Sequence, residues 1–319
     1  MGKDNEHMKP WRRTVYSLGL AIGGLVFAFQ IWQGYQAVTR NAFVIPYLPL
    51  IGLAWGMVVV AFALQFAAWA ALMRGLGVFL KWREVIWGYP LSFLPRYLPG
   101  SIWGYLSRSE WLWRSYKVGY SISGTGTILE ILAALSALGL VAGVYLTWVS
   151  TGVARLVYCV LTIVFLPASL AFLCLIGKIP FLQRFLSIQT LMRSSSLKTT
   201  SGYWIASVIL NFSLWLCYGG VMSLVARGFG LQNIGNLVDY TFLFGFAWLA
   251  GFLVVFVPSG LGVREVALSN LLTSKLGIPA VQASALSVMS RFVISLAELA
   301  WILVALRFKN GQDQSQPVK

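Results

Sequence analysis

This chain has little charge, and almost none of it is acidic. Of 319 residues only 10% are Asp, Glu, Lys or Arg, and just nine are Asp or Glu. Carboxylate-rich chemistry, such as paired catalytic acids or an oxygen-ligand metal cage, therefore has few residues to draw on. Glu84, Glu110 and Asp239 stand isolated, with no Asp-x-Asp pair for a membrane-embedded transferase. Histidine is scarcer still. The one histidine, His7, lies in the polar N-terminal stretch, so histidine catalysis and a histidine-ligated metal are not expected. Three cysteines, Cys159, Cys174 and Cys217, all fall in apolar runs and read as small buried hydrophobes rather than disulfides or ligands. Long polar stretches are missing as well, which leaves no room for a separate soluble catalytic domain. No cofactor is expected.

What is present is apolar. Hydrophobic residues make up 58% of the chain, the composition of a polytopic membrane protein. The first uncharged run, residues 14–39, follows a short basic segment (1–13) and is too long for a signal-peptide core, so it reads as a retained span. Further spans are expected near 47–73, 119–149, 156–177, 203–226, 236–257 and 279–306, with a polar tail at 309–319. The fold expected is all-α: about seven long transmembrane helices in one domain (14–308), plus two broken or re-entrant elements at 84–108 and 256–277. The net charge of +15 orients such a protein and engages anionic lipid rather than nucleic acid. Most of the basic residues fall in loops 1–13, 74–83, 108–117 and 178–200. The opposite loops carry only Arg40, Arg155 and Arg227. This places the N-terminus in the cytoplasm. The C-terminal basic residues then stay inside if the short helix after 262 ends with Lys275 near the outer surface.

The two irregular elements carry polar chemistry where lipid should be. In Pro258-Ser259-Gly260-Leu261-Gly262-Val263-Arg264-Glu265, a proline and two glycines break an apolar run and a charged first turn follows. Broken backbone at membrane depth is tolerated only where protein or a water-filled cavity surrounds it. Charged residues there are functional candidates. The helix N-terminus adds a site suited to an anion, although Glu265 in the same turn opposes one. The earlier element, 84–108, contains Pro90, Pro95, Arg96, Pro99 and Gly100. It reads as a re-entrant hairpin turning near Pro95, or as an interfacial segment with aromatic anchors. Each element is followed by Lys-x-Gly (117–119 and 275–277) and a span with a buried acid, a weak internal repeat. Ser123, Thr127, Glu130, Ala134 and Ala137 form one face of the 119–149 span. Ser284, Ser287, Arg291, Ser295 and Glu298 form a polar stripe on the last span, which must face the bundle interior.

Residues 257–265 resemble the Pro-x-Gly-x-Gly-x-Arg-Glu signature of the lysylphosphatidylglycerol synthase transmembrane family, also called flippase-like. Leu98-Pro99-Gly100 with Gly104 and Arg108, the span with Glu130, and the 283–291 segment are similar to the same family. The likeness covers nearly the whole chain, but no soluble aminoacyl-transfer domain accompanies it. The resemblance therefore implies lipid handling, not lipid aminoacylation, in a bacterial or archaeal cytoplasmic membrane. Its expected partners are membrane lipids, either an anionic phospholipid or a polyprenyl-linked glycolipid, and a lipid-modifying synthase or glycosyltransferase. In the leading reading, Arg264, Arg291 and Arg96 bind an anionic headgroup and Arg108 guides it in at the cytoplasmic mouth. Gly260 and Gly262 open the backbone around it. Glu265, Glu298 and Glu130 neutralise the empty site or exchange protons. The alternatives are a subunit that presents lipid without moving it and a membrane-embedded transferase. Structural ion pairing is the competing role for each charged residue.

Overall fold

The computed structural model describes residues 46–97, 103–176, 197–232, 234–254, 257–260 and 262–312. The expected first span, the tail 1–13, most of the loop 178–200, the Leu98-Pro99-Gly100 segment and residues 313–319 lie outside the described residues. Nine helices make up nearly everything described: α1 (Leu48–Gly75), α2 (Trp82–Gly88), α3 (Trp103–Tyr116), α4 (Tyr120–Val149), α5 (Gly152–Ile176), α6 (Leu197–Gly228), α7 (Leu237–Leu253), α8 (Val263–Leu276) and α9 (Ala280–Gln312). Four contain segments long and apolar enough to cross a membrane: Leu48–Gly75, Tyr120–Val149, Ser201–Gly228 and Ala280–Arg307. One expected span needs correction: the run at 236–257 is not a long span but the 17-residue α7. The apolar part of α9, Ala280–Arg307, matches the span expected at 279–306, and the helix itself runs on to Gln312.

Direction along the bundle follows from the packing of helix ends. The Tyr47 N–H donates to the Gly228 carbonyl at 2.8 Å. At the other end Gly75 faces Tyr203 so closely that a Cβ built there would lie 3.4 Å from the Tyr203 side chain. Helices α1 and α6 are therefore antiparallel. The bundle has a Tyr47 end and a Gly75 end. After α1 leaves at the Gly75 end, α2 turns back inward and breaks into two 3-10 turns, Pro90–Ser92 and Pro95–Tyr97. The prolines at 90 and 95 remove amide donors that a continuous helix needs. α3 then returns to the Gly75 end, where α4 starts with Gly126 packed on Met73 and Leu76. The second half does the same from the opposite side. α7 enters from the Tyr47 end, the chain breaks at Pro258–Gly260, and α8 returns until Leu276 lies against Gly235. Helix α9 then runs to the Gly75 end, where it packs against α2. Each half is thus a long helix, a broken hairpin with a 14-residue return helix, and a second long helix. The halves point in opposite directions, the arrangement of an inverted repeat.

The repeat register differs from the Lys-x-Gly reading by two residues. After α3 comes Lys117 with φ 56°; after α8 comes Gly277 with φ 67°. Both cap the helix behind them in the left-handed conformation, with N–H bonds to Trp113 O at 3.0 Å and Thr273 O at 3.1 Å. Both are followed by a long helix starting three residues later. Lys117, not Gly119, is thus the partner of Gly277.

The core sits where the first hairpin packs on α1. Phe62, Phe66, Trp69, Tyr89, Phe93 and Trp111 interlock there, and Trp301 of α9 meets Phe66 edge-on at 4.9 Å while donating to the Val59 carbonyl at 3.2 Å. The small face of α4 is used as its composition suggested. Ser123, Glu130 and Ala137 are buried, and Trp215 of α6 donates to the Ala134 carbonyl. Cys159, expected to be buried, is exposed on the outer face of α5.

Candidate functional site

Two hairpin tips meet inside the bundle: the Pro95–Tyr97 turn packs against the Pro258–Gly260 turn. The second tip is strained backbone. Ser259 has φ 51°, Gly260 φ 68° and Gly262 φ 76°, which costs glycine little and serine on the order of 1–2 kcal/mol. Gly260 is required for a second reason. A Cβ there would lie 2.9 Å from the Gly251 backbone, where α7 crosses the break. Gly260 therefore packs the tip and does not open it. Gly262 is exposed and starts α8. Its N–H is taken by the Glu265 carboxylate, 2.7 Å away. Glu265 thus caps its own helix, and the end of α8 that suited an anion is partly occupied from within.

The charged groups of the tip surround a narrow crevice between α8 and α9, lined by Arg264, Glu265, Leu268, Ser287, Ser290, Arg291 and Ile294. Arg291 donates to the Ser259 hydroxyl at 3.0 Å and lies 3.8 Å from the Glu265 carboxylate. Its buried Nε has no hydrogen-bond partner. Ser287 donates to the Glu265 carbonyl at 2.9 Å and so ties α9 to the first turn of α8. Arg264 differs from its neighbours. Its guanidinium lies 4.5 Å from the centre of the Phe244 ring, but among the described residues it forms no hydrogen bond and no ion pair. The crevice is narrower than a water molecule in this conformation.

The first tip reaches the same stripe of α9. Glu298, 2% exposed, forms an ion pair with Arg96 and accepts from the Tyr97 hydroxyl at 2.7 Å. The Arg96 guanidinium lies over Phe93, and Arg291 sits 5.9 Å from the Tyr97 ring. Gly104 lets the return helix approach: a Cβ there would fall 2.8 Å from the Ser92 carbonyl. Helix α9 thus holds both tips, the second through Arg291 and the first through Glu298. Of its expected stripe, Ser287, Arg291, Ser295 and Glu298 are buried. Ser284 is exposed instead, hydrogen-bonded to Ser269 of α8 at 2.9 Å.

Arg108 and Glu130 stand apart from this site. They pair with each other, both buried, with the Tyr89 hydroxyl donating to the same carboxylate. The Arg108 guanidinium also lies over the Tyr89 and Trp69 rings, at 4.5 and 4.9 Å. The expected place of Arg108 at a cytoplasmic mouth is therefore corrected: it is 3% exposed, inside the first half. It joins α3 to α4 just as Glu265 and Arg291 join α8 to α9, with the signs of the two charges exchanged.

Sequence reasoning missed Ser259, Tyr97, Phe244 and Gly251. Ser259 had a signal in its place between proline and glycine; the other three are ordinary residues of apolar runs. Among the described residues, no three His, Cys, Asp or Glu side chains gather to hold a metal ion. Where the tips meet, among the described residues Arg96, Arg264 and Arg291 face only Glu265 and Glu298, which leaves one guanidinium in excess. Such a site suits an anion: a guanidinium stays charged and donates in a planar pair that fits phosphate oxygens.

These features define an all-α, multi-pass membrane protein built around two opposed broken hairpins. Residues 16–301 match the model of the family described as the lysylphosphatidylglycerol synthase TM region, and the chain belongs to that family. No curated protein and no solved structure matches it.

Proposed function

We propose that this protein is a lipid translocase that takes an anionic headgroup into the crevice between the two hairpin tips and carries it between leaflets. The observation that carries the reading is Arg264. A half-buried guanidinium inside a membrane protein, with no counter-ion within ion-pair distance and no acceptor among the described residues, is costly unless a ligand supplies them. Arg264 is joined by Arg291, whose Nε is ion-paired with Glu265 at 3.8 Å but makes no hydrogen bond. The inverted repeat supports transport rather than static binding, because opposed broken hairpins meeting near the midplane let one site face either side in turn. The closed crevice is then one stage of that cycle, and the tips part to admit the headgroup. Membership of a family described for lysylphosphatidylglycerol synthase supports lipid as the cargo. The ligand is a phospholipid phosphate or a polyprenyl phosphate, and the protein acts as a transporter, not an enzyme. It works in a cytoplasmic membrane with the Gly75 end inside, beside a synthase or glycosyltransferase that makes or consumes the lipid.

The test is leaflet exchange of headgroup-labelled anionic lipids in vesicles containing the purified protein. The wild type should accelerate exchange, and Arg264→Ala and Arg291→Ala should abolish it while remaining folded. Retained lipid binding without exchange, for phospholipid and polyprenyl phosphate alike, would mean a presenting subunit. Exchange that survives both substitutions would remove the site from the crevice.

A further inference from the structure

Helix α8 has a polar outer face that nothing described so far explains. It is 14 residues long, roughly 21 Å at 1.5 Å per residue. That is the distance from a bilayer midplane through half the hydrocarbon, about 15 Å, into the headgroup layer. Starting from the hairpin tip, α8 therefore runs from the middle of the membrane to the surface at the Tyr47 end. Its exposed positions beyond Val266 are Asn270, Thr273, Ser274 and Lys275. Asn270 lies about 10 Å along the helix from its start, well inside hydrocarbon depth. Among the described residues, neither the Asn270 amide nor the Thr273 hydroxyl has a hydrogen-bond partner. An exposed amide without a partner does not face lipid tails, because nothing there replaces its bonds to water. Beside it, the Ser269–Ser284 hydrogen bond continues the polar surface across onto α9. Val266 lies on the same face one turn inside Asn270, an apolar step between the crevice and the polar groups, and exposed Val281 and Leu253 add surface suited to tails.

The strip leads somewhere. At its inner end is the crevice, with Arg264, which has no hydrogen bond or ion pair among the described residues, and the buried Nε of Arg291, which makes no hydrogen bond. At its outer end is Lys275. We infer that the outer face of α8 is the lane along which an anionic lipid headgroup travels between the crevice and the outer headgroup layer, its tails staying in the bilayer beside Val266 and Val281. This rests on the reading of the crevice given above and adds the route. The occupant follows from charge: both ends of the lane are cationic, and between them, beyond Val266, the exposed groups Asn270, Thr273 and Ser274 are neutral donors and acceptors that pass a phosphate without trapping it. Arginines along the whole length would bind it too tightly for release.

The test uses the full-length protein in phosphatidylcholine vesicles containing acyl-labelled phosphatidylglycerol. Asn270→Leu with Thr273→Val should slow exchange about tenfold, the effect of losing one or two neutral hydrogen-bonding groups from a transition state. Stabilisation of the purified protein by phosphatidylglycerol, which reports the crevice, should stay at the wild-type level. In a background without the native cysteines, Asn270→Cys should react with a charged thiosulfonate added from water. Reaction only with a lipid-soluble maleimide, or disulfide cross-linking between two copies, would overturn the lane and make this face a tail-facing or dimer surface. Unchanged exchange in Asn270→Leu/Thr273→Val, alongside lost exchange in Arg264→Ala, would reject the lane and leave the crevice standing. Unchanged exchange in both would reject the lane and the crevice together.

Discussion

Replacing Arg264 with methionine should leave the protein as stable as before, or more stable, although it removes a charged, half-buried residue from the crevice. Methionine keeps most of the aliphatic stem. The closest favourable contact of the guanidinium among the described residues is its position 4.5 Å over Phe244, worth about 0.5–2 kcal/mol, with Glu265 and Glu298 adding only longer-range attraction. Against this, an unpaired arginine at membrane depth carries a penalty of about 2.5–3.5 kcal/mol on insertion scales. The balance favours methionine by about 0.5–3 kcal/mol. Arg108→Met is the contrasting case. Arg108 and Glu130 have side-chain exposures of 2% and 10%, and breaking a pair buried to that degree costs about 3–5 kcal/mol because the remaining charge is left bare. The two variants remove the same group and should differ by about 5 kcal/mol in unfolding free energy. The assay is thermal or denaturant unfolding of purified protein in one detergent, without added lipid. If Arg264→Met proves as destabilising as Arg108→Met, Arg264 has a structural partner and the argument for a vacant anion site fails.

Three further outcomes follow from the packing. Arg108→Met/Glu130→Met should recover most of the stability lost by either single substitution, short by the roughly 1–3 kcal/mol of the stranded Tyr89 hydroxyl; unfolding of all three variants checks this. Gly260→Ala should cost more than Gly262→Ala: both force a non-glycine residue to positive φ, but only the first drives a Cβ against the Gly251 backbone, 2.9 Å away. Equal unfolding midpoints for that pair would contradict the close approach. Glu298→Ala removes the carboxylate that pairs with Arg96 and accepts from the Tyr97 hydroxyl. It should destabilise by about 3–5 kcal/mol and expose the first hairpin to proteolysis at lower temperature than in the wild type; unchanged proteolysis would show that α9 does not hold that tip.

Much of this architecture is legible in the sequence because bilayer thickness imposes it. Apolar runs of the right length become α1, α4, α6 and α9, and the two proline-containing breaks become hairpin tips because no continuous helix can pass through them. The polar stripe of α9 faces inward for the reason given by its spacing, except at Ser284, which sits near the helix start where the exposed face of α8 begins. The length of α7 is not legible. Residues 254–257 remain apolar, so hydropathy continues after the helix has stopped, and the stop depends on Gly251 meeting Gly260 across the break. Arg108 was misplaced because nearness in sequence to Arg114 and Lys117 suggested a surface. Its spacing to Gly104 and Leu112, both buried, puts it on the inner face of α3 and is the signal that places it. The ion pairs connect residues as far apart as Arg96 and Glu298, and single-sequence periodicity carries no information about which arginine meets which acid. The inverted repeat shows in the matched lengths of α3 and α8 and in the left-handed caps at Lys117 and Gly277, where residue type differs and conformation agrees.

The account turns on whether the missing partner of Arg264 is an anionic lipid. The direct measurement is the melting temperature of the detergent-purified protein titrated with an anionic phospholipid, for the wild type and Arg264→Met, with a zwitterionic phospholipid as control. The account predicts that anionic lipid stabilises the wild type, that the zwitterionic lipid does not, and that Arg264→Met loses the gain while keeping its own stability. Equal stabilisation of both proteins by anionic lipid would contradict it.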